Sequence, residues 1–213
     1  MFWSKILRFF SEDIAMDFGT ANTLLYTRDG GIIVNEPSVV AIDTRNNEVL
    51  AVGSEAKRAR GRTPKRIKTI RPMKSGVIAD FDTTSRMIVY FVNKAIGRSH
   101  LVKPSLVISV PTGITGVEKK AVIDAAATAG AGRVSLIEEP MAAAIGADLP
   151  VTEPVGTLIA DIGGGTSEVA VITMSAITVS QSIRIAGDAM NEILLRMLRD
   201  KYRLDVGENT AEH

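Results

Sequence analysis

A motif that occurs twice constrains the fold of this chain more than any other feature of the sequence. Residues 12–27, EDIAMDFGTANTLLYT, and residues 156–172, GTLIADIGGGTSEVAVI, follow one plan. Each has an apolar strand that ends in Asp, one apolar residue, a turn rich in Gly and Thr, and a second apolar strand. A strand–turn–strand unit that is used twice indicates a chain built from two related halves.

The repeated turn is suited to binding phosphate. A Gly-rich turn brings main-chain N–H groups together with no side chain in the way, which makes a concave anion site. Two such turns that face each other could hold a polyphosphate from both sides. The aspartates at the strand ends, Asp17 and Asp161, could hold hydrated Mg²⁺ against the same phosphates, because this cation prefers carboxylate and water oxygens. A single copy would more often be a structural hairpin, but the matched pair favours nucleotide binding.

Neither turn fits the two best-known phosphate-binding motifs. The pattern G-x-x-x-x-G-K-[ST] is absent from both, and neither turn leads directly into a helix, so a P-loop is excluded. The run Ile-Gly-Gly-Gly-Thr at 162–166 also lacks the G-x-G-x-x-G spacing of a Rossmann fold.

Strand and helix patterns alternate along the chain, which predicts an α/β fold. Strands are predicted at residues 14–18, 23–27, 38–42, 106–110, 158–161, 168–173 and 177–183. Helices are predicted at residues 83–96, at about 117–129 after the capping box Thr115-x-x-Glu118, from Pro140 onward, and after Asp188.

An acidic pair lies between the two repeats. Pro140 suits the first turn of a helix, which puts Glu139 at the helix start. An acid at that position often only caps the helix, and its neighbour Glu138 has that interpretation or that of a salt-bridge partner. A carboxylate beside a phosphate clamp could instead orient the water that attacks a terminal phosphoryl group.

The first ten residues, MFWSKILRFF, form an amphipathic pattern. One side of a helix would carry the apolar residues Phe2, Trp3, Ile6, Leu7, Phe9 and Phe10. An aromatic, cationic helix fits the surface of an anionic membrane, and the alternative is a helix packed on the protein's own core. Charge interrupts the apolar run and no small-residue cleavage site follows, which argues against a signal peptide. No window approaches the roughly 18 apolar residues of a membrane-spanning helix.

Residues 57–74 contain nine Lys or Arg and no acid. Such a run could bind nucleic acid, but no aromatic residue is interleaved to stack on bases. Gly61, Pro64 and Pro72 predict irregular loops here, so a solvated or partner-facing basic surface is favoured. The formal net charge of +1 gives no support to a nucleic-acid partner. The chain has no Cys and only two His, which excludes disulfides and a zinc cluster.

The order of several motifs resembles one known family. The segments DFGTANT, NEPSVVA, AVGSEAK, GRTP, IRPMKSGVIADF, SVPTGIT, LIEEPMAAAIGA, DIGGGTSEVAV and IRIAGD are similar in order and spacing to those of the MreB family, bacterial actin-like rod-shape-determining proteins. This resemblance implies the actin-like ATPase fold, with ribonuclease-H-like duplicated domains and ATP with Mg²⁺ between them. A membrane-binding helix (1–11) would precede domain I (12–150, with a small basic subdomain at about 35–80), and residues 151–213 would begin domain II.

The resemblance also assigns roles to residues. The first phosphate loop would consist of Gly19, Thr20, Ala21 and Asn22, and the second of Gly163, Gly164, Gly165 and Thr166. Asp17 and Asp161 would serve the magnesium, and Glu139 would position the hydrolytic water with help from Thr166. Glu212 would contact the nucleotide sugar. An apolar loop at Leu101 and Val102 would be a second membrane contact.

The function implied is that of a cytoskeletal ATPase. It would form filaments with its own copies on lipids at the cytoplasmic face of the inner membrane, and would position the cell-wall elongation machinery through membrane linker proteins, with no nucleic-acid partner. No residue stands at the position of the lysine that follows the acidic sugar contact in relatives, so we expect a fragment or truncated chain with weak or no ATPase activity. Two alternatives stay open: a sugar-kinase-type phosphotransferase of this fold, and a non-catalytic membrane- or filament-binding module.

Overall fold

The computed structural model describes residues 13–59, 64–96 and 103–212. The predicted amphipathic segment at residues 1–11 and the predicted loop contact at Leu101 and Val102 lie outside these ranges. None of the helices within the described ranges is long and apolar enough to cross a bilayer.

The first half of the chain alternates strands and helices. Its elements are β1 (Asp13–Phe18), β2 (Asn22–Thr27), β3 (Gly31–Pro37), β4 (Val40–Asp43), β5 (Glu48–Val52), α1 (Ser54–Ala59), β6 (Ile67–Ile70), β7 (Met73–Lys74), β8 (Val77–Ile78), α2 (Phe81–Ile96), β9 (Ser105–Val110), α3 (Gly116–Thr128), β10 (Arg133–Glu138) and α4 (Glu139–Gly146). Five strands form one sheet in the order β10-β9-β1-β2-β3, in which β1 is antiparallel to β2 and parallel to β9. A small sheet, β5-β4-β6, and the hairpin β7–β8 are inserted between β3 and α2.

The second half begins with the same plan. Its elements are β11 (Thr157–Ile162), β12 (Ser167–Thr173), β13 (Ala176–Ile183), α5 (Gly187–Tyr202) and α6 (Glu208–Glu212). The three strands form an antiparallel meander in which Asp161 is opposite Glu168. In both halves, therefore, an Asp-bearing strand, a Gly-rich turn and a returning strand are followed by a third antiparallel strand.

The core of the first half lies between the five-stranded sheet and two helices. Strand β1 alternates, so that Ile14, Met16 and Phe18 are buried while Asp17 is exposed. The buried side chains pack in one cluster with Met87 and Phe91 of α2 and with apolar residues of α3. Side chains on one face recur about every 3.6 residues in a helix and every 2 residues in a strand, which puts these residues of α2 and β1 on surfaces that face each other.

Most of the predicted elements are confirmed. The six predicted strands other than 38–42 match the observed ends to within one residue, and the helix predicted after Pro140 begins at Glu139. The capping box of α3 is present, since the Thr115 hydroxyl accepts from the N–H of Glu118 and the Glu118 carboxylate accepts from the N–H of Thr115. Gly130, at φ +98°, follows the helix end.

The prediction of irregular loops at 57–74 is confirmed only in part: residues 64–66 and 71–72 lie outside helices and strands, but the other described residues of the segment do not. This segment contains the end of α1, strand β6 and strand β7. Strand β6 exists because it pairs with β4, where Ile70 lies opposite Val40 and Lys68 opposite Ile42. A strand of this length depends on its partner, so the composition around it misled the sequence-based prediction. The strand predicted at 38–42 is also shifted, because β4 begins at Val40 and Ser38 lies outside it.

The two halves provide a matched test of burial. When Asp17 is aligned with Asp161, Ile14 corresponds to Leu158, yet Ile14 is 1% exposed and Leu158 is 67% exposed. We expect Ile14→Ala to lower the free energy of unfolding by about 2–5 kcal/mol, because it leaves a cavity in the core. Leu158→Ala should change it by less than about 0.5 kcal/mol. Urea denaturation of the two variants measures both values, and equal losses would contradict the burial of only one face.

Candidate functional site

The two Gly-rich turns face each other at contact distance. A Cβ atom placed on Gly164 would lie 2.6 Å from the Cβ of Ala21 and 3.2 Å from its main-chain nitrogen. A Cβ on Gly165 would lie 2.9 Å from the Cα of Ser75, and it would also clash with the hydroxyl of Thr20. Because no side chain fits at these positions, the glycines are what allows the two halves to approach here.

Each turn has N–H groups with no protein partner. The first glycine closes the turn: Gly19 donates to the carbonyl of Asn22 at 3.1 Å, and Gly163 donates to that of Thr166 at 2.9 Å. The next N–H groups, those of Thr20 and Ala21 in one turn and of Gly164 and Gly165 in the other, make no hydrogen bond within the described residues. Main-chain donors that are left free in a concave turn form an anion-binding site.

A third segment touches both turns. The hairpin turn between β7 and β8 places the N–H of Gly76 2.9 Å from the Thr20 hydroxyl, in a buried hydrogen bond. A Cβ on Gly76 would lie 2.8 Å from the side chains of Thr166 and Pro111. The first turn, the second turn and the hairpin turn therefore form one packed unit.

Four carboxylates from both halves lie near these turns. Asp17 is the last residue but one of β1, Asp161 lies in β11, Glu168 lies in β12 and Glu139 begins α4. The pKa of Glu139 is raised to about 8, mostly by burial and then by the charges of the other three acids, while the Thr166 side chain opposes the shift. Burial, with smaller contributions from two neighbouring acids, also raises the pKa of Asp161. Negative charges this close together favour the binding of a cation.

Hydroxyl and amide donors hold two of these acids in place. The Ser109 hydroxyl donates to Asp17 at 2.7 Å. The N–H of Thr112 lies 3.0 Å from the same Glu168 oxygen that accepts from the Thr112 hydroxyl at 3.1 Å. Glu168 is 1% exposed, so these donors replace the water that its carboxylate lacks. Sequence reasoning missed Ser109 and Glu168; the signal for Glu168 was an acid at an inward position of an apolar strand.

The carboxylates suit Mg²⁺ that is shared with phosphate better than a metal held by protein alone. Within the described part of the chain, no three His or acidic side chains are close enough to hold an ion together. Mg²⁺ commonly keeps several waters and takes one or two carboxylates together with phosphate oxygens. Asp17 and Asp161 fit that role, because they come from opposite halves and lie near enough for Asp17 to raise the pKa of Asp161.

Glu212 lies away from this acidic cluster. It lines a cavity of about 240 Å³ together with Arg71, Asp188 and Glu208. Its carboxylate is 2.8 Å from the Lys57 ammonium, and Arg71 forms an ion pair with Asp188 at 2.6 Å. The cavity borders the second turn, because the N–H of Asp188 donates to the carbonyl of Gly164 at 2.9 Å. Glu212 therefore lies at a space next to the second turn and apart from the acidic cluster.

The family model and the curated relatives that match this chain agree on one family. The family model described as MreB/Mbl protein matches residues 11–213. The chain is 48% identical to the cell shape-determining protein Mbl of Bacillus cereus over 203 residues, which is 95% of this chain and 61% of the relative. It is 49% identical to MreB of Pasteurella multocida and 48% identical to MreB of Escherichia coli, covering 62% and 61% of those proteins. The chain thus spans about three fifths of the length of the curated relatives it matches.

Solved structures agree with the sequence comparison. The crystal structure of MreB5 of Spiroplasma citri bound to ADP superposes with a TM-score of 0.88 at 33% identity, covering 95% of this chain and 60% of that one. The structure of the same protein bound to AMPPNP gives a TM-score of 0.87. A MamK double helical filament gives 0.77 at 21% identity, which supports the fold alone.

The raised pKa of Glu139 predicts a pH dependence of stability without metal and nucleotide. Between the ordinary value of 4.5 and about 8, the folded chain holds a proton that the unfolded chain has lost. The free energy of unfolding should therefore fall as the pH rises through this window, by at most about 1.4 kcal/mol per pH unit for this group. Glu139→Gln should flatten the slope, as measured by urea denaturation at pH 5, 6.5 and 8.

The exposed carboxylate of Glu55 on α1 provides the control. Glu55→Gln should leave the parent slope in place, since this side chain lies in solvent outside the acidic cluster. An identical slope for Glu139→Gln and the parent chain would contradict the burial of an ionisable Glu139.

Proposed function

We propose a function for this chain from the premise that it belongs to the MreB/Mbl family of cell shape-determining proteins. The α/β fold implied by the sequence resemblance is confirmed, since the chain superposes on MreB5 over 95% of its length. The names of the relatives favour the cytoskeletal interpretation and give no support to the sugar-kinase alternative.

The chain binds ATP, with its phosphates between the two Gly-rich turns. The observation that carries this proposal is the contact of Gly164 with Ala21, which brings two sets of free N–H donors to one space. Residues 19–22 would bind the phosphates from one side and residues 163–166 from the other. The related MreB5 structures contain ADP and AMPPNP, which supports a nucleotide as the ligand. Glu212 would contact the sugar from the adjoining cavity.

Mg²⁺ would be held at Asp17 and Asp161, through oxygens of the carboxylates and of water, and would neutralise charge on the phosphates. The cation would also lower the pKa of Glu139 from about 8, because a nearby positive charge favours the carboxylate.

Glu139 would position the water that attacks the terminal phosphoryl group. Glu139 is the first residue of α4, and its carboxyl group lies near the other acids and near Thr166 of the second turn. Thr166 is itself buried, and its side chain favours the ionised form of Glu139. The attacking water would thus be aligned by a group from the first half that lies beside the second turn.

In the cell, the chain would act in filaments of its own copies that determine cell shape. Self-association is supported by the likeness in fold to a filament structure, and the role in cell shape by the names of the relatives. Attachment to the cytoplasmic face of the inner membrane through Phe2, Trp3, Ile6, Leu7, Phe9 and Phe10, and contact with the wall-elongation machinery, belong to the same proposal.

Gly164→Ala tests the nucleotide site. The added Cβ would lie 2.6 Å from Ala21 and must push the turns apart. We expect binding of Mg-ATP to weaken by about tenfold or more, since both sets of N–H donors can no longer reach one triphosphate. Gly146→Ala is the matched control, because a Cβ there meets nothing within 4 Å. Titration with a fluorescent ATP analogue measures both, and parent-like affinity for Gly164→Ala would contradict the site.

High-speed sedimentation of the same two variants tests the filament proposal. The parent chain and Gly146→Ala should pellet more with Mg-ATP than without it, whereas Gly164→Ala should not. A phosphotransferase would stay in the supernatant under both conditions.

The membrane proposal has its own test. Deletion of residues 1–10 should abolish co-sedimentation with vesicles that contain anionic lipid, because it removes the aromatic residues and both cations of the segment. Vesicles of neutral lipid should bind the intact chain more weakly. Undiminished binding after the deletion would rule out this anchor.

A further inference from the structure

A phosphate-binding turn must also keep its carbonyl groups away from the ligand. Each peptide unit of the turn carries an acceptor as well as a donor, and an oxygen directed at a phosphate would repel it. The free N–H groups of Thr20 and Ala21 are therefore useful only if the neighbouring carbonyls are held elsewhere. What holds them follows from the hydrogen bonds behind the turn.

Ser38 binds two carbonyls of the first turn. Its hydroxyl donates to the carbonyl of Gly19 at 2.7 Å, and its main-chain N–H donates to the carbonyl of Ala21 at 2.9 Å. Ser38 is 0% exposed, so water does not compete for these bonds. A single residue thereby fixes two peptide units of the turn, Gly19–Thr20 and Ala21–Asn22, and the first of them carries the free N–H of Thr20.

A second hydroxyl strengthens this contact. The Thr23 and Ser38 hydroxyl oxygens lie 2.9 Å apart, and both residues are fully buried. The one hydroxyl hydrogen of Ser38 is given to Gly19, so the Thr23 hydroxyl is the donor in this pair. The order Thr23 to Ser38 to Gly19 polarises the Ser38 hydroxyl, which strengthens its bond to the carbonyl.

The second half uses the same device with different residues. The N–H of Gly187 donates to the carbonyl of Gly163 at 3.1 Å, and the N–H of Asp188 donates to the carbonyl of Gly164 at 2.9 Å. Ser38 follows the third strand of its half, β3, and Gly187 follows the third strand of the other half, β13. The structural repeat thus extends to the residues that bind the turn carbonyls, although Pro-Ser and Ala-Gly-Asp share no residue.

We propose that Ser38 is a positioning residue for the phosphates of the nucleotide: its hydroxyl holds the carbonyl of Gly19 behind the first turn, so that the N–H of Thr20 in the same peptide unit faces the ligand, and its own N–H holds the carbonyl of Ala21 away from the ligand. This inference rests on the proposed nucleotide function. Ser38 itself does not touch the phosphates; it acts through the main chain of the turn.

The experiment compares two serines with the same local chemistry. Ser38→Ala removes a buried hydroxyl that donates to the Gly19 carbonyl. Ser85→Ala is the matched control, because the Ser85 hydroxyl is buried and donates to the Phe81 carbonyl at 2.9 Å within α2, away from the turn. The readouts are urea denaturation of each chain and its dissociation constant for Mg-tripolyphosphate, a probe that binds through phosphates alone.

We expect Ser38→Ala to bind Mg-tripolyphosphate about tenfold more weakly than the parent chain, and Ser85→Ala to stay within about twofold. A purely structural role for Ser38 would lower stability in both variants and leave both affinities near that of the parent. That result, or an equal loss of affinity in the two variants, would overturn the proposal.

Thr23→Val keeps the proposal testable if Ser38→Ala does not fold. This substitution is close in shape, retains the Ser38 bond to Gly19 and removes only the donor behind it. It should weaken binding about threefold, and unchanged binding would overturn the role of the hydroxyl pair. If the parent chain binds neither Mg-tripolyphosphate nor Mg-ATP, the nucleotide function itself fails, whereas parent-like binding by a folded Ser38→Ala chain overturns the Ser38 inference alone.

Discussion

The structure depends on the close approach of the two Gly-rich turns. Gly164 lies against Ala21 with no room for a side chain, and this contact fixes the distance between the two halves. Near this contact Asp17 raises the pKa of Asp161, and both acids contribute to the raised pKa of Glu139. Without a ligand the turns leave N–H donors unpaired and the acids repel one another. A phosphate bound together with a divalent cation would satisfy both groups, because the phosphate accepts hydrogen bonds from the N–H donors and the cation offsets the charge of the acids.

The same approach links parts of the chain that are far apart in sequence. The Gly76 N–H binds Thr20 of the first turn, and Gly76 also packs against Thr166 of the second. In the second half, the buried carboxylate of Glu168 accepts a hydrogen bond from the N–H of Thr112 in the first half. Each turn is thus held by hydrogen bonds from behind and by contacts from the side. A displacement of one turn would therefore also displace the other, since the packed unit is continuous.

The sequence predicted the parts of the site that its local pattern encodes. Both turns, the aspartates before them and Glu139 at a helix start could be identified because apolar runs, glycines and Pro140 mark them directly. Strands β3, β5, β6, β7, β8 and β10 were missed, because a strand forms only where a partner strand is present and the local sequence does not mark that partner. Ser38 was assigned to a strand because it precedes apolar residues, whereas its actual role depends on carbonyls 17 and 19 positions earlier in the chain. Tertiary hydrogen bonds of this kind leave no periodic signal.

The two halves share one strand–turn–strand arrangement, but different contacts stabilise it in each half. In the first half, α2 and α3 cover the face of β1 that carries Ile14, Met16 and Phe18. In the second half, the corresponding face carries Leu158 and Ile162, which are 67% and 64% exposed, and α5 buries no residue. The second sheet is therefore held by its strand pairing, by the contact of its inner face with α4, and by hydrogen bonds such as that from Thr112 to Glu168. Because the second turn is one of the contacts between this sheet and the first half, a ligand that bridged both turns would stabilise the association of the two halves. Binding of the proposed nucleotide would in this way be coupled to the packing of the second half, at the point where Gly164 contacts Ala21.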